Sequence, residues 1–332
     1  MSMQDHDVVG IGNAIVDIIG QCDDAFLSQH GRTKGSMELV DAITVANLYD
    51  AMGPGIEISG GSAANTMVGV ASFGGKAGFI AKTADDEFGK VFRHDIRAAG
   101  VTFNTAAAAS GGDPTGRSLI LVTPDGQRTM NTMLGVSPQL GAEEVDADLV
   151  RSGRILYLEG YLFDRPQAKA AFRQAADIAA KAGRQVAMTL SDPFCVDRHR
   201  AEFQQFVRSS VDILFANEAE IASLYEANTF EDAARRAQSE TKLAAITRSE
   251  KGSVILSGGR TIEVAAAPVA KVVDTTGAGD LYAAGFLYGV AIGRDLETAG
   301  RLGSLAAAEV ISHVGARPQM KLAELAQKAG LL

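Results

Sequence analysis

The chain has 332 residues, 46% hydrophobic and 21% charged, with 36 glycines, 8 prolines and a formal net charge of −9. That size suits one large α/β domain or two ordinary ones, and the acidity, with no tryptophan and no basic run, argues against nucleic-acid binding as the main activity. No apolar segment is long enough to span a bilayer, residues 1–7 are polar and acidic rather than a secretion signal, and Cys22 and Cys195, far apart and without metal-like spacing, point to a reducing cytoplasm.

Residues 8–13 read as a strand that residues 14–19 continue. Gly10-Ile11-Gly12 begins like a dinucleotide fingerprint, but Ile15 stands where the third glycine belongs. Asp17 is an acid inside an apolar run, where burial of the unpartnered charge costs on the order of several kcal/mol. It is either an edge residue facing solvent or an arginine, or a carboxylate that grips two adjacent hydroxyls of a sugar. Residues 26–40, with Gly31 and Gly35, read as a hairpin leaving the main sheet. Residues 41–52 read as a helix stopped by Pro54-Gly55. Next comes Ser59-Gly60-Gly61-Ser62-Ala63-Ala64-Asn65 and a helix through residue 73. A turn needs one glycine, whereas Gly60 and Gly61 together let backbone approach a ligand. Asn65, one turn in, offers an amide that both donates to and accepts from a hydroxyl.

Residues 76–80 form the next strand, and a helix starts at Asp85-Asp86-Glu87-Phe88-Gly89, with Asp85 structural. Residues 105–116 are an Ala/Gly-rich loop, and residues 117–133 form a hairpin about Asp125-Gly126. Two such hairpins make a small β-lid over an α/β body. Arg128, just after the turn, is either a solvated turn arginine or a bidentate cation for a transferring phosphate. The strand 155–159 exits through Gly160-Tyr161-Leu162-Phe163, where Tyr161 sandwiches a base or fills core. A helix over 165–182 and strands over 185–190 and 211–215 continue the alternation that indicates a mostly parallel sheet. Asn217 and Glu220 share a helix face. They form either a capping box or a set of hard oxygens suited to Mg²⁺ on a triphosphate. A strand over 244–247 leads into Arg248-Ser249-Glu250-Lys251-Gly252, and a helix over 302–311 precedes His313-Val314-Gly315-Ala316.

Residues 269–273 read as a short buried strand and 281–292 as a helix. Between them lies Asp274-Thr275-Thr276-Gly277-Ala278-Gly279-Asp280. A glycine-rich turn opening a helix aims several unpaired N–H groups one way, where the helix dipole also favours negative charge. Asp280, in the first turn beside that anion cradle, can take a proton from a hydroxyl. In an ordinary strand-to-helix turn it would only complement the dipole. No P-loop sequence occurs, so phosphate recognition falls to this cradle.

The stretch 274–280 resembles the C-terminal signature of the ribokinase-like (PfkB) carbohydrate and nucleoside kinases. The resemblance extends over roughly residues 8–320, with the double glycine, the Asp-Gly turn and the Asn-x-x-Glu pair in the family's order. It implies one ribokinase-like domain over 1–332, a three-layer α/β/α body with a mostly parallel central sheet, and a small β-lid from about 21–41 and 104–135. It implies Asp280 as catalytic base, the Gly277-Ala278-Gly279 amides and Arg128 on the transferring phosphoryl group, and Asn13, Asp17, Gly60, Gly61, Asn65 and Tyr161 on the acceptor. ATP would lie against Asn217, Glu220, Thr247, Gly252 and His313, with Mg²⁺ held through water at Glu220 and a monovalent cation, K⁺, near Asp274 and Thr276. His313 can equally be a surface residue. Two positions depart from the family: Thr83-Ala84 replaces a glycine ahead of Asp85, and Ser249 stands where a glycine is usual. Residues 12–18 and 212–218 are most similar to the adenosine kinases. The expected reaction is therefore ATP-dependent phosphorylation of a nucleoside 5′-hydroxyl, by a monomer or homodimer. A sugar such as ribose or fructose is the alternative acceptor. A catalytically silent nucleoside-binding protein is a third reading, against which the intact Asp280 argues.

Overall fold

In the computed structural model, which describes residues 5–332, the first apolar run makes two strands rather than one. β1 (His6–Ile11) is buried on both faces at its centre, whereas β2 (Ile15–Gln21) alternates buried and half-buried residues. Continuous burial suits a covered parallel sheet and alternation a sheet with one open face, and the two strands do lie in different sheets. The others are β3 (Met37–Leu39), β4 (Gly55–Gly60), β5 (Ala77–Ile80), β6 (Val101–Phe103), β7 (Gly116–Val122), β8 (Arg128–Met133), β9 (Gly153–Glu159), β10 (Gln185–Thr189), β11 (Ile213–Asn217), β12 (Leu243–Thr247), β13 (Ser253–Ser257) and β14 (Arg260–Val264).

The large sheet runs β14-β13-β12-β11-β10-β9-β1-β5-β6. It is parallel from β6 to β12, and β13 and β14 are antiparallel. Alternate side chains enter two separate cores. Val8, Ile155, Tyr157 and Phe215 pack with the helices Ser62–Ser72, Ala278–Ala291 and Leu296–Val310. Val9, Ile11, Leu156, Leu158 and Leu214 pack with Pro166–Lys181, Pro193–Ser210 and Glu218–Tyr225 on the other face. The result is a ribokinase-like body of helix, sheet and helix layers.

The small sheet runs β3-β8-β7-β2-β4. The stretches 21–41 and 104–135 contain only β3, β7 and β8; β2 and β4 complete it. Ile15 lies opposite both Gly60 and Gly116, and Arg117 lies opposite Met133. The four places where the chain passes between the sheets therefore gather at one end of the small one.

Three further expectations are corrected. Residues 26–40 are not a hairpin: Asp23 caps a short helix, Asp24–Gln29, by accepting from the Phe26 amide at 2.7 Å, and β3 then pairs in parallel with β8. Residues 269–273 form no strand, and Val272 and Val273 are 55% and 40% exposed. That run has no strand neighbour to pair with, so apolarity alone does not make it a strand. The structural acid at the helix Glu87–Ala98 is Asp86 rather than Asp85; it accepts from the Gly89 amide at 2.7 Å and from the Thr115 amide and hydroxyl at 2.8 and 2.6 Å.

Candidate active site

The helix Ala278–Ala291 starts at Gly277, whose φ of 81° is left-handed and whose missing Cβ would lie 2.7 Å from that of Ala316. No side chain caps this helix. The Ala278 amide donates to the Thr275 carbonyl and the Leu281 amide to that of Gly277, which leaves the Gly279 and Asp280 amides at an open helix end. A Cβ on Gly279 would meet nothing within 4 Å. The sequence thus folds into a bare N-terminus with space above it.

Asp280 projects from the first turn toward a second helix, Ser62–Ser72. Ser62 donates its hydroxyl to Oδ1 at 2.6 Å and Asn65 its amide to Oδ2 at 2.9 Å. Burial pushes the Asp280 carboxyl up, and these two bonds and the field of Arg317 pull it back. Asn65 Oδ1 is buried with no partner. An orphaned acceptor of this kind requires a donor such as a hydroxyl.

Asp17, on β2, is half-buried, and among the described residues nothing hydrogen-bonds to its carboxylate. Burial pushes it up to about 7, while Arg317 and Arg128 pull it down and Asp280 adds to the rise. Each of the paired glycines has its own neighbour. A Cβ on Gly60 would sit 2.3 Å from Asp17 Oδ2, and one on Gly61, where φ is 101°, would sit 2.3 Å from the Asn13 carbonyl.

Asn13 has an internal position. It is buried, accepts from Ser137 Oγ at 2.9 Å and donates from Nδ2 to Glu159 at 2.5 Å. Glu159 also accepts from the Ala63 amide at 2.8 Å, so it ties the end of β1 to the helix carrying Ser62 and Asn65. Burial pushes Glu159 up to about 7.

From the small sheet, Arg128 reaches Asp274 Oδ2 at 2.8 Å, and both side chains are buried. Asp274 accepts from the Thr276 amide and hydroxyl at 3.1 and 2.8 Å and from the Gly315 amide at 2.9 Å. Its two carboxylate oxygens are thus engaged by protein donors, which leaves neither side-chain oxygen to offer a monovalent cation.

At the end of β11, Asn217 and Glu220 form a complete capping box. Glu220 is buried and pushed up to about 7, first by burial and then by Asp192 and Asp280. Thr247 lies beside Asn217 in the β11–β12 register. Gly252 is required by close approach, since its Cβ would be 2.0 Å from the Val264 carbonyl. Tyr161 is 38% exposed, its phenol pushed up by burial and by Asp192, Asp280, Glu159 and Glu220. His313 Nε2 lies 3.2 Å from Glu309, in the loop that carries Gly315. Among the described residues no three His, Cys, Asp or Glu side chains gather to hold a metal. Oxygens such as those of Glu220 fit an ion that arrives on nucleotide phosphates and keeps its waters.

Two groups therefore assemble: Asp17, Gly60, Gly61, Asn65, Arg128, Asp274 and the cradle with Asp280, and beside them Asn217, Glu220, Thr247 and Tyr161. Sequence reading missed Ser62, Glu159 and Arg317. Glu159 carried the same signal as Asp17, an acid that interrupts an apolar run.

The sequence matches the profile of the pfkB family carbohydrate kinases over residues 57–322. The chain belongs to the pfkB family. It is a phosphotransferase with an alcohol acceptor, and pfkB kinases use ATP, typically with Mg²⁺. It is 51% identical to a probable sugar kinase from Rhizobium etli CFN 42, at a TM-score of 0.91 over 98% of this chain and 99% of that one. It is 52% identical to the adenosine kinase from Sinorhizobium meliloti, at a TM-score of 0.90 over 98% and 99%. An uncharacterized sugar kinase of Archaeoglobus fulgidus is 29% identical over 75% of this chain and 97% of its own. Among the described residues no helix of this pfkB kinase is long and apolar enough to cross a membrane.

Proposed function

We propose that this pfkB kinase transfers the terminal phosphoryl group of ATP to the 5′-hydroxyl of a nucleoside, adenosine foremost. The observation that carries this reading is the Asp280 carboxylate, held by Ser62 and Asn65 at the open end of an uncapped helix. Asp17 and the free Oδ1 of Asn65 are the acceptors that a ribose diol needs, with Gly60 and Gly61 bringing their backbone close. The primary hydroxyl then loses its proton to Asp280. The Gly277-Ala278-Gly279 turn and Arg128 stabilise the charge that develops on the transferred group. Asn217, Glu220, Thr247 and Gly252 line the nucleotide side, with His313 toward the adenine and Tyr161 against the acceptor base. Mg²⁺, held through water at Glu220, would supply neutralisation of the phosphate charge. The likeness to the S. meliloti enzyme over nearly the whole chain supports the nucleoside.

A sugar acceptor is the second reading, favoured by the equal likeness to the R. etli protein. Steady-state kinetics with adenosine, 2′-deoxyadenosine, ribose and fructose separate the two. The nucleoside reading expects turnover of adenosine and a loss of about 1–3 kcal/mol in kcat/KM for the 2′-deoxy compound, whose missing hydroxyl leaves a buried polar group unpaired. Equal kcat/KM for both nucleosides removes the diol assignment, and turnover of sugars alone selects the second reading.

A further inference from the structure

Arg317 directly follows His313-Val314-Gly315-Ala316 and is itself marked by no motif, yet its guanidinium reaches across the site. Nε and Nη2 donate to the Ser59 carbonyl at 2.9 and 2.6 Å, Nη2 also to Ser59 Oγ at 2.9 Å, and Nη1 to the Ala64 carbonyl at 2.9 Å. Those two carbonyls bracket Gly60-Gly61 and the helical turn that holds Ser62. The residues just before Arg317 face the other half of the site. Gly315 donates its amide to Asp274 at 2.9 Å, and Ala316 fills the space left by the missing Cβ of Gly277. Among the described residues no carboxylate pairs directly with this guanidinium; its charge is balanced at longer range by Asp95, Asp17 and Asp280. Removing a cation from water without a close counter-ion is costly, so its burial within the field of two acids of the site calls for a reason beyond packing.

We propose that Arg317 is a positioning residue for phosphoryl transfer: it clamps the 59–64 turn against the cradle and supplies a positive charge shared by the Asp17 and Asp280 carboxylates. The assignment of Asp17 to the acceptor and of Asp280 as base rests on the function proposed above. Burial pushes both carboxyls up and Arg317 pulls both down. The other groups around the pair are Arg128 from β8, Tyr157 and Glu159 from β9, Tyr161 and Glu220 beyond it, Asp95 on the helix Glu87–Ala98, and the neutral donors Ser62 and Asn65. Loss of the Arg317 charge raises both carboxyls, so the ionised base is reached only at higher pH.

The test uses Arg317→Met and Arg317→Lys in the full chain. It reads kcat, acceptor KM, the pH profile of kcat/KM, and the carboxyl ¹³C titrations of Asp17 and Asp280 in the free protein. Arg317→Met is expected to lower kcat about 10-fold or more and to move the acid limb and both titrations up by about one pH unit. Arg317→Lys keeps the charge but loses the fork, so kcat falls while the limb stays near its wild-type position. A folded Arg317→Met protein with a lower melting temperature but wild-type kcat, limb and titrations overturns the proposal. If Arg317→Met does not fold, wild-type kcat in Arg317→Lys overturns it instead. The ¹³C titrations need no turnover, so a failed acceptor assignment remains separable from a failed role for Arg317.

Discussion

The donors that fix Asp280 come from another helix, 218 and 215 positions away in the chain. Their geometry predicts the outcome of Asp280→Asn. The variant keeps shape and helix start but lacks a basic oxygen, so turnover should fall by about 10²–10⁴ while the fold persists. Were Asp280 only a dipole-complementing charge, stability would drop by about 0.3–1 kcal/mol with activity kept. Turnover and melting temperature measured on one preparation decide, and near wild-type kcat in a folded variant would mean that the base is elsewhere. Residues of this kind are legible in sequence when their neighbours in the chain are odd for them. Asp17 and Glu159 each interrupt an apolar run. Arg317 gives no such sign, because the carbonyls it serves are 258 and 253 positions away and carbonyls have no sequence signature.

At the scale of elements, the double glycine is the junction where β4 turns into the helix Ser62–Ser72. Gly61→Ala forces a Cβ into left-handed backbone and to 2.3 Å from the Asn13 carbonyl. The expected cost exceeds about 1 kcal/mol, with a fall in kcat/KM because Ser62 and Asn65 move with the turn. Gly279→Ala has room for its methyl and should fold at least as well; a loss of kcat there would show that the ligand occupies the space above the amides. Unfolding curves and kinetics on both variants check this, and wild-type values for Gly61→Ala would remove the close approach as a requirement. The same scale explains what the sequence could show of the fold. Helices and strands with strong periodicity stand close to where their residue patterns put them. Residues 269–273 and 14–19 were misread because a strand is defined by its partner, and the apolar character of a run does not say which sheet, if any, will accept it.

For the whole molecule, the interior acids predict an unusual pH dependence. Asp17, Glu159 and Glu220 are each raised to about 7 in the folded state. A group raised on folding contributes stability that is full below its unfolded value, near pH 4, and is lost as pH rises through about 7. Melting temperature should therefore climb as pH falls from about 8 to about 5. A melting temperature that is flat or falls over that window would mean that these carboxyls stay charged in the fold. The crossings between the two sheets have a mechanical consequence. All four lie at one end of the small sheet, so the chain joins it to the body along one row only, and at the opposite row Arg128 is held to the body by its ion pair with Asp274. Asp17 is two residues from the joined row, about 7 Å along the strand, whereas Arg128 is five residues from Met133, about 17 Å away. A tilt about that row carries Arg128 more than twice as far as Asp17, so under the proposed function it moves the group assigned to the phosphoryl transfer and scarcely the one assigned to the acceptor. Arg128→Ala should accordingly lower kcat more than it raises acceptor KM, and a change confined to KM would place Arg128 at the acceptor instead.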